Sequence, residues 1–500
     1  MKPISNALLG GLNRVKWACV VFALGAAAAI ALPAQTSTTL FSFDSTDGAR
    51  PYAGLVQATN GDLYGVTAHG GAYGFGDCFV GNCGTIFKLT PSGTLTTLYS
   101  FCAQSGCVDG SEPFAALVQA ADGTFYGTTA FGGANYNGTV FKLDPGRTPT
   151  TIYTFCAQGV YPDCTDGAIP YAGLVGGTNG EFYGTTFTGG ANGSGTIFKI
   201  TPGGALTTLY SFCAQRGCPD GTSPYAALVQ ATNGDLYGTT SFGGDYSIAE
   251  FGGGTVFKIT PSGALTTLHT FCVQRGCPDG AQPYGALVQA DDGNFYGTTL
   301  NGGANGDHGT VFKVTPGGTP TTLYSFCAQS RCTDGEYPQA GLVLATDGNF
   351  YGTAFRGGAN GVGSVFRITT TGALTTLVSF DGTDGARPWA GLVQATNGEF
   401  YGTTHAGGAG NYGTVFGLSV GLGPFVKTMP KTGHVGQIID ILGTSLTGAT
   451  SVGFNGTAAV FSVVSPSLIT ATVPGGATTG KIEVATPGGT LFGGTFFVLP

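Results

Sequence analysis

Charge is what this sequence has least of: 9% of its 500 residues are Asp, Glu, Lys or Arg, about a third of the usual fraction. Long surface helices are excluded, because Lys and Glu are scarce and 90 residues are glycine, each of which weakens a helix interior by roughly 1 kcal/mol. Disorder is excluded as well: hydrophobic residues reach 42%, aromatics 12%, and the net charge is only -8. Nucleic acid is an unsuitable partner for a chain with 19 basic and 27 acidic residues. The five histidines (His69, His269, His308, His405, His434) are scattered, with no metalloprotease pair and no nucleophile-elbow serine among the motifs. Runs such as Leu55-Val56-Gln57-Ala58-Thr59-Asn60 break any collagen period. What remains is a turn-rich all-β protein.

Only one long apolar run is present, Ala18 to Leu32, preceded by Lys2, Arg14 and Lys16. This is the layout of an export leader over residues 1–34, with cleavage after Ala31 or Ala34. Its removal leaves 16 basic residues against 27 acidic ones, a net charge near -11 and no membrane span.

The remainder is periodic. Tyr-Gly recurs at Tyr64, Tyr126, Tyr183, Tyr237, Tyr296, Tyr351 and Tyr401, and the same four apolar segments surround each copy. They are typified by Ala226 to Ala231, Asp235 to Thr240, Gly254 to Thr260 and Leu265 to Phe271, which read as strands. Asn-Gly or Asp-Gly joins the first two segments, supplying the positive φ angles of a tight hairpin, and Pro/Gly turns join the last two. Seven four-stranded meanders predict a seven-bladed β-propeller over residues 35–423. Thr38 to Phe43 matches a fourth strand, whereas the seventh unit stops after its third at Gly413 to Leu418. The N-terminal strand is therefore expected to complete the last blade. Beyond Gly423 the repeats end, and about seven β runs over residues 424–500 predict a small β-sandwich beside the propeller.

The motif at Gly391 to Thr404, followed by Gly407-Gly408 and Gly413-Thr414-Val415-Phe416, resembles the bacterial GloVer repeat, a tandem extracytoplasmic repeat. The resemblance covers roughly residues 38 to 418. It implies an exported protein and carries no catalytic residue. Residues 424 to 500 are similar to the IPT/TIG immunoglobulin-like domain through Gly443-Thr444-Ser445-Leu446, Val452-Gly453-Phe454-Asn455-Gly456 and Ile469-Thr470-Ala471-Thr472-Val473-Pro474. That likeness implies a spacer or binding module.

In an up-down meander the second-to-third and fourth-to-first connections share one end. The second-to-third connection varies in length, most of all at Ala68 to Cys83 and Ser241 to Gly253, so this end is the expected binding face. The cysteines fall there in close pairs: Cys78 with Cys83, Cys102 with Cys107, Cys156 with Cys164, Cys213 with Cys218, Cys272 with Cys277, and Cys327 with Cys332. Even pairing in an exported chain implies disulfides rather than a metal site. Asp-Gly-x-x-Pro recurs in all seven units, and its Asp (Asp47 to Asp384) is expected to bond its own turn. After each Pro comes Tyr52, Phe114, Tyr171, Tyr225, Tyr284, Gln339 or Trp389. Trp389 is the prime candidate for stacking on a ligand, and His69, His308 and His405 are the acid/base candidates on the same face. Lys88, Lys142, Lys199, Lys258, Lys313 and Arg367 follow the third-strand Phe, a position expected to protect an edge or face solvent. The expectation is an exported, monomeric, non-enzymatic binding or scaffold protein, needing no cofactor or metal, that presents a disulfide-rigidified face to a glycan or protein. The alternatives are a polysaccharide hydrolase or lyase acting at the pore mouth, and a structural envelope component.

Overall fold

In the fourth repeat the apolar segments form strands Val229–Gln230, Leu236–Thr240, Thr255–Ile259 and Leu265–Thr270, hydrogen-bonded in that order as an antiparallel sheet. The computed structural model describes residues 35–73, 83–245 and 252–499. Within them seven such four-stranded sheets follow one another, an all-β, propeller-like arrangement. The expected leader, residues 1–34, lies outside the described residues.

The sheets bury both faces, which is why nine of the ten residues of the second and third strands in the fourth repeat are buried, Lys258 being the partly exposed one, and why they do not alternate. Opposite the third-strand Phe257 stands Gly238, and an ideal Cβ on that glycine would lie 2.6 Å from the Phe257 ring. Glycine in Tyr-Gly-Thr-Thr is thus the floor on which the aromatic ring lies. Across each sheet interface a Phe at the end of the fourth strand meets the third-strand Phe of the next sheet edge-on. All seven pairs, from Phe101–Phe141 to Phe43–Phe87, have centroids 5.0 to 5.4 Å apart.

The Phe43–Phe87 pair joins the two ends of the series. Strand Thr36–Ser42 pairs antiparallel with Thr414–Ser419, completing the seventh sheet as expected. The polar seam closes too. Thr396 N–H donates to Gln57 Oε1 (3.0 Å), as Thr346 N–H does to Gln394 Oε1 (3.1 Å), and Thr403 Oγ1 donates to the Ala53 carbonyl (3.0 Å), as Thr353 Oγ1 does to that of Ala390 (3.0 Å). The first and seventh sheets thus share the contacts that join the sixth and seventh.

Three local expectations are corrected. The first strand is two paired residues, not six, because the rest of Ala226 to Ala231 packs as irregular chain against its neighbours. In the Asn-Gly and Asp-Gly turns only the glycine has positive φ, as at Gly61 (87°). Asn60 instead uses its side-chain oxygen to accept the Asp62 N–H (3.1 Å), and the other six repeats do likewise. The third-strand lysines are not on an edge, since that strand lies between two others. Lys88, Lys199 and Lys258 pair with Asp62, Glu181 and Asp235 near the start of the second strand.

Residues beyond the repeats form a four-stranded and a five-stranded sheet. Both sheets contribute to one core, including Ile439, Ile441, Ile469, Phe454, Val484 and Phe496. They meet the repeats at the Asn-Gly end: Phe425 N–H donates to the Thr396 carbonyl (2.9 Å), and Ser467 Oγ to the Thr59 carbonyl (2.8 Å). Thr396 and Thr444 share a hydroxyl hydrogen bond of 2.9 Å.

Candidate functional site

At the opposite end of the strands the two variable connections lie together. The Asp-Gly-x-x-Pro segment of each repeat bridges the segment after its second strand, as Ala49 does with His69 and Ala386 with Ala406. The residue before each Pro is clamped twice. Arg50 N–H donates to the Tyr412 carbonyl of the seventh repeat, and its own carbonyl accepts Ala68 N–H. This residue is left-handed in all seven repeats, with φ between 52° and 57° at Arg50, Glu112, Ile169, Ser223, Gln282, Tyr337 and Arg387. The backbone is held by its hydrogen bonds whatever the side chain is, so this position presents a free choice of side chain within a constant frame.

The residue after each Pro builds a collar. Trp389, Tyr52, Phe114, Tyr171, Tyr225 and Tyr284 touch in series, with centroids 5.0 to 5.2 Å apart. Gln339 takes the seventh place, buried, with Oε1 unpartnered. Just past the collar the chains converge on small residues: an ideal Cβ on Gly341 would stand 2.5 Å from the Ala286 carbonyl oxygen.

The collar breaks its symmetry across repeats seven, one and two. Tyr52 is the hub, with Oη 2.8 Å from His405 Nε2 and its ring 5.1 Å from Trp389 and 6.1 Å from His69. Burial pushes His69 down to about 4, with Arg50 adding to the effect. Burial likewise holds His405 at about 4, helped by Arg50, His69 and Arg387. Both imidazoles are thus neutral at pH 7, and the Nδ1 atom of each is buried without a hydrogen-bond partner. Beside them Glu112 is buried, and desolvation raises its carboxyl to about 7. On repeats three to five the same frame carries Ile169, Ser223 and Gln282.

Of the sequence candidates, His69, His405 and Trp389 come together here. His308 does not: its Nδ1 lies 2.9 Å from Glu336 Oε2, on the side of repeats five and six. It also neighbours Cys327 and Cys332, but those sulfurs are bonded to each other and are not thiolate ligands in that state. Cys102–Cys107, Cys156–Cys164, Cys213–Cys218 and Cys272–Cys277 are disulfides as expected. Cys83 is disulfide-bonded, and Cys78 lies outside the described residues with much of its loop. The recurrent Asp serves the fold: Asp109, Asp166, Asp220 and Asp334 each accept a fourth-strand Tyr hydroxyl at 2.7 to 2.9 Å. Asp279 meets His269 Nε2 at 3.0 Å instead. Tyr52 as hub, Glu112, Arg50 and Arg387 were not singled out from sequence. The available signal was the residue before the Pro of Asp-Gly-x-x-Pro, the more variable of its two free positions.

No curated protein matches this chain. Among solved structures, the chain is similar to a putative 6-phosphogluconolactonase from Bacteroides uniformis at 16% identity, covering 65% of this chain and 83% of that one, with a TM-score of 0.42. A second putative 6-phosphogluconolactonase, from Bacteroides fragilis, is 17% identical over 69% of this chain and 86% of that one, with a TM-score of 0.41. The aldose sugar dehydrogenase of Streptomyces coelicolor is 15% identical over 77% and 98%, with a TM-score of 0.39. The Gloeobacter/Verrucomicrobia repeat matches residues 21–165, 159–345 and 328–438, and with its recurring four-stranded sheets this chain belongs to that repeat family.

Proposed function

We propose that this chain is an exported, non-enzymatic glycan-binding protein. In this reading residues 1–34 are a cleaved leader, residues 35–423 are a seven-bladed β-propeller closed by the N-terminal strand, and residues 424–500 are an IPT/TIG-like immunoglobulin-fold module. Disulfides at the loop face, and the absence among the described residues of a helix long and apolar enough to cross a membrane, fit export. The observation that carries the binding role is the break in symmetry: seven equivalent frames surround the collar, yet among the described residues imidazole nitrogens without a hydrogen-bond partner and the Trp occur only across repeats seven and one. Trp389, Tyr52 and Phe114 offer half-buried aromatic rings on which a pyranose can stack. Attachment of the C-terminal sheets at the opposite end leaves this face open.

A glycan array with the full chain, wild type against Trp389→Ala, is the test. Losing one stacked ring costs about 1 kcal/mol, roughly a 5- to 10-fold drop in affinity. Binding of no glycan would defeat this reading and favour an envelope component. A second reading rests on the Tyr52–His405 hydrogen bond beside Glu112, an acid/base grouping that suits a polysaccharide hydrolase or lyase. Release of product by wild type, lost in His405→Ala, would establish it in place of the first.

A further inference from the structure

We propose that the collar's ligand is an anionic polysaccharide bearing uronate carboxylates, gripped by Arg50 and Arg387 while its rings stack on Trp389 and Tyr52. This rests on the glycan reading above and adds the charge class of the sugar.

The few cations are unevenly partnered. The chain has 19 basic residues against 27 acidic ones. At the far end of the strands Lys88, Lys199 and Lys258 face Asp62, Glu181 and Asp235. Around the collar stand three arginines. Arg50 and Arg387 occupy equivalent pre-proline positions on adjacent repeats, both are exposed, and both act electrostatically on His405. Arg356, exposed on repeat six, lies over the Phe355 ring at 6.0 Å, and that ring meets Trp389 at 5.3 Å. Among the described residues none of the three forms an ion pair with a carboxylate.

Arg50, Arg387 and Arg356, on repeats one, seven and six, leave a local excess of positive charge on this face that an anion would relieve. Their planar forks match a carboxylate bidentately. The acids on this face set the footprint: Asp44 with Asp47, and Asp381 with Asp384, are tied into their own turns by hydrogen bonds. Glu336 is occupied by His308 on the far side of repeat six, and repeat two carries the buried carboxyl of Glu112, not a cation, at the equivalent position. The acidic sugar is therefore placed over repeats six, seven and one, with a neighbouring unit on Tyr52 and Phe114.

The test measures binding of the full chain to three oligosaccharides of equal length: an oligogalacturonate, a neutral gluco-oligosaccharide and a sulfated glycan. Wild type is expected to bind the oligogalacturonate at least about 10-fold more tightly than the neutral one, the scale of one charge-assisted contact. Arg50→Gln with Arg387→Gln should remove that preference, and Arg147→Gln, at the opposite end of the strands, should leave it intact. Equal binding of charged and neutral oligosaccharides overturns this inference while leaving the glycan reading standing. No binding to any of the three overturns both. Tighter binding of the sulfated glycan overturns the carboxylate assignment. The wild-type preference needs no variant, so a misfolded double mutant leaves the inference testable.

Discussion

Glu112 is the side chain on the collar least suited to its surroundings. It is buried and carries no side-chain hydrogen bond among the described residues, and desolvation raises it to about 7. With its folded pKa above the unfolded value, it keeps its proton in the folded state while the unfolded state loses one, so stability falls as pH rises between about 4.5 and 7. Glu112→Gln removes that cost: thermal unfolding should show the variant gaining roughly 1–2 kcal/mol at pH 8 and little at pH 4. An equal change at both pH values would mean that Glu112 is ordinarily solvated. His69 and His405 act in the opposite direction. With folded pKa values near 4 instead of 6.5, they cost stability as pH falls from about 6.5 to 4, because only the unfolded state takes up the protons. An NMR titration should find both rings still neutral at pH 5.5. Their grouping could not be seen in the sequence, because His69 and His405 are 336 positions apart and meet only where the first and seventh repeats do.

The repeat unit itself was largely visible in the sequence, because its elements are local. Strand types, turn glycines and the cysteine pairs all follow from residues within one period. The reason for the glycine in Tyr-Gly-Thr-Thr was not visible, since it depends on a ring on the neighbouring strand. Two substitutions in the fourth repeat separate this packing demand from backbone strain. Gly234→Ala, with φ of 87° and nothing within 4 Å, should cost only about 1 kcal/mol. Gly238→Ala has no φ penalty but puts a Cβ 2.6 Å from Phe257 and 2.8 Å from Leu228, and should cost about 2–3 kcal/mol in denaturant unfolding. The reverse order would show that the ring can move aside. Repeat six supplies a natural comparison. Its Ala354 replaces the Thr whose hydroxyl bonds a partner across the sheet in the other six, and the facing Ser364 Oγ is left without a hydrogen bond.

For the whole molecule the decisive contact is between its ends. Strand Thr36–Ser42 contributes a full ladder to the seventh sheet, and Phe43 packs on Phe87 of the first. Deleting residues 35–43 should lower the melting temperature of the whole repeat array in one cooperative step by more than 10 °C, since an edge would open on one sheet and a buried aromatic pair would be lost from its neighbour. A small, separate transition would mean that the seventh sheet unfolds independently of the others.

The sequence by itself determined the fold class, the period, the strand content of each repeat and the strand that closes the series. These are properties of local pattern, and pattern is written along the chain. Tertiary structure alone decided which of the seven near-identical frames share a buried, asymmetric environment. Arg50, Glu112, Trp389, His69 and His405 acquire their shared environment only when the first, second and seventh repeats become neighbours. Burial among those rings, not residue type, is what keeps the imidazoles neutral and the carboxyl reluctant to ionise.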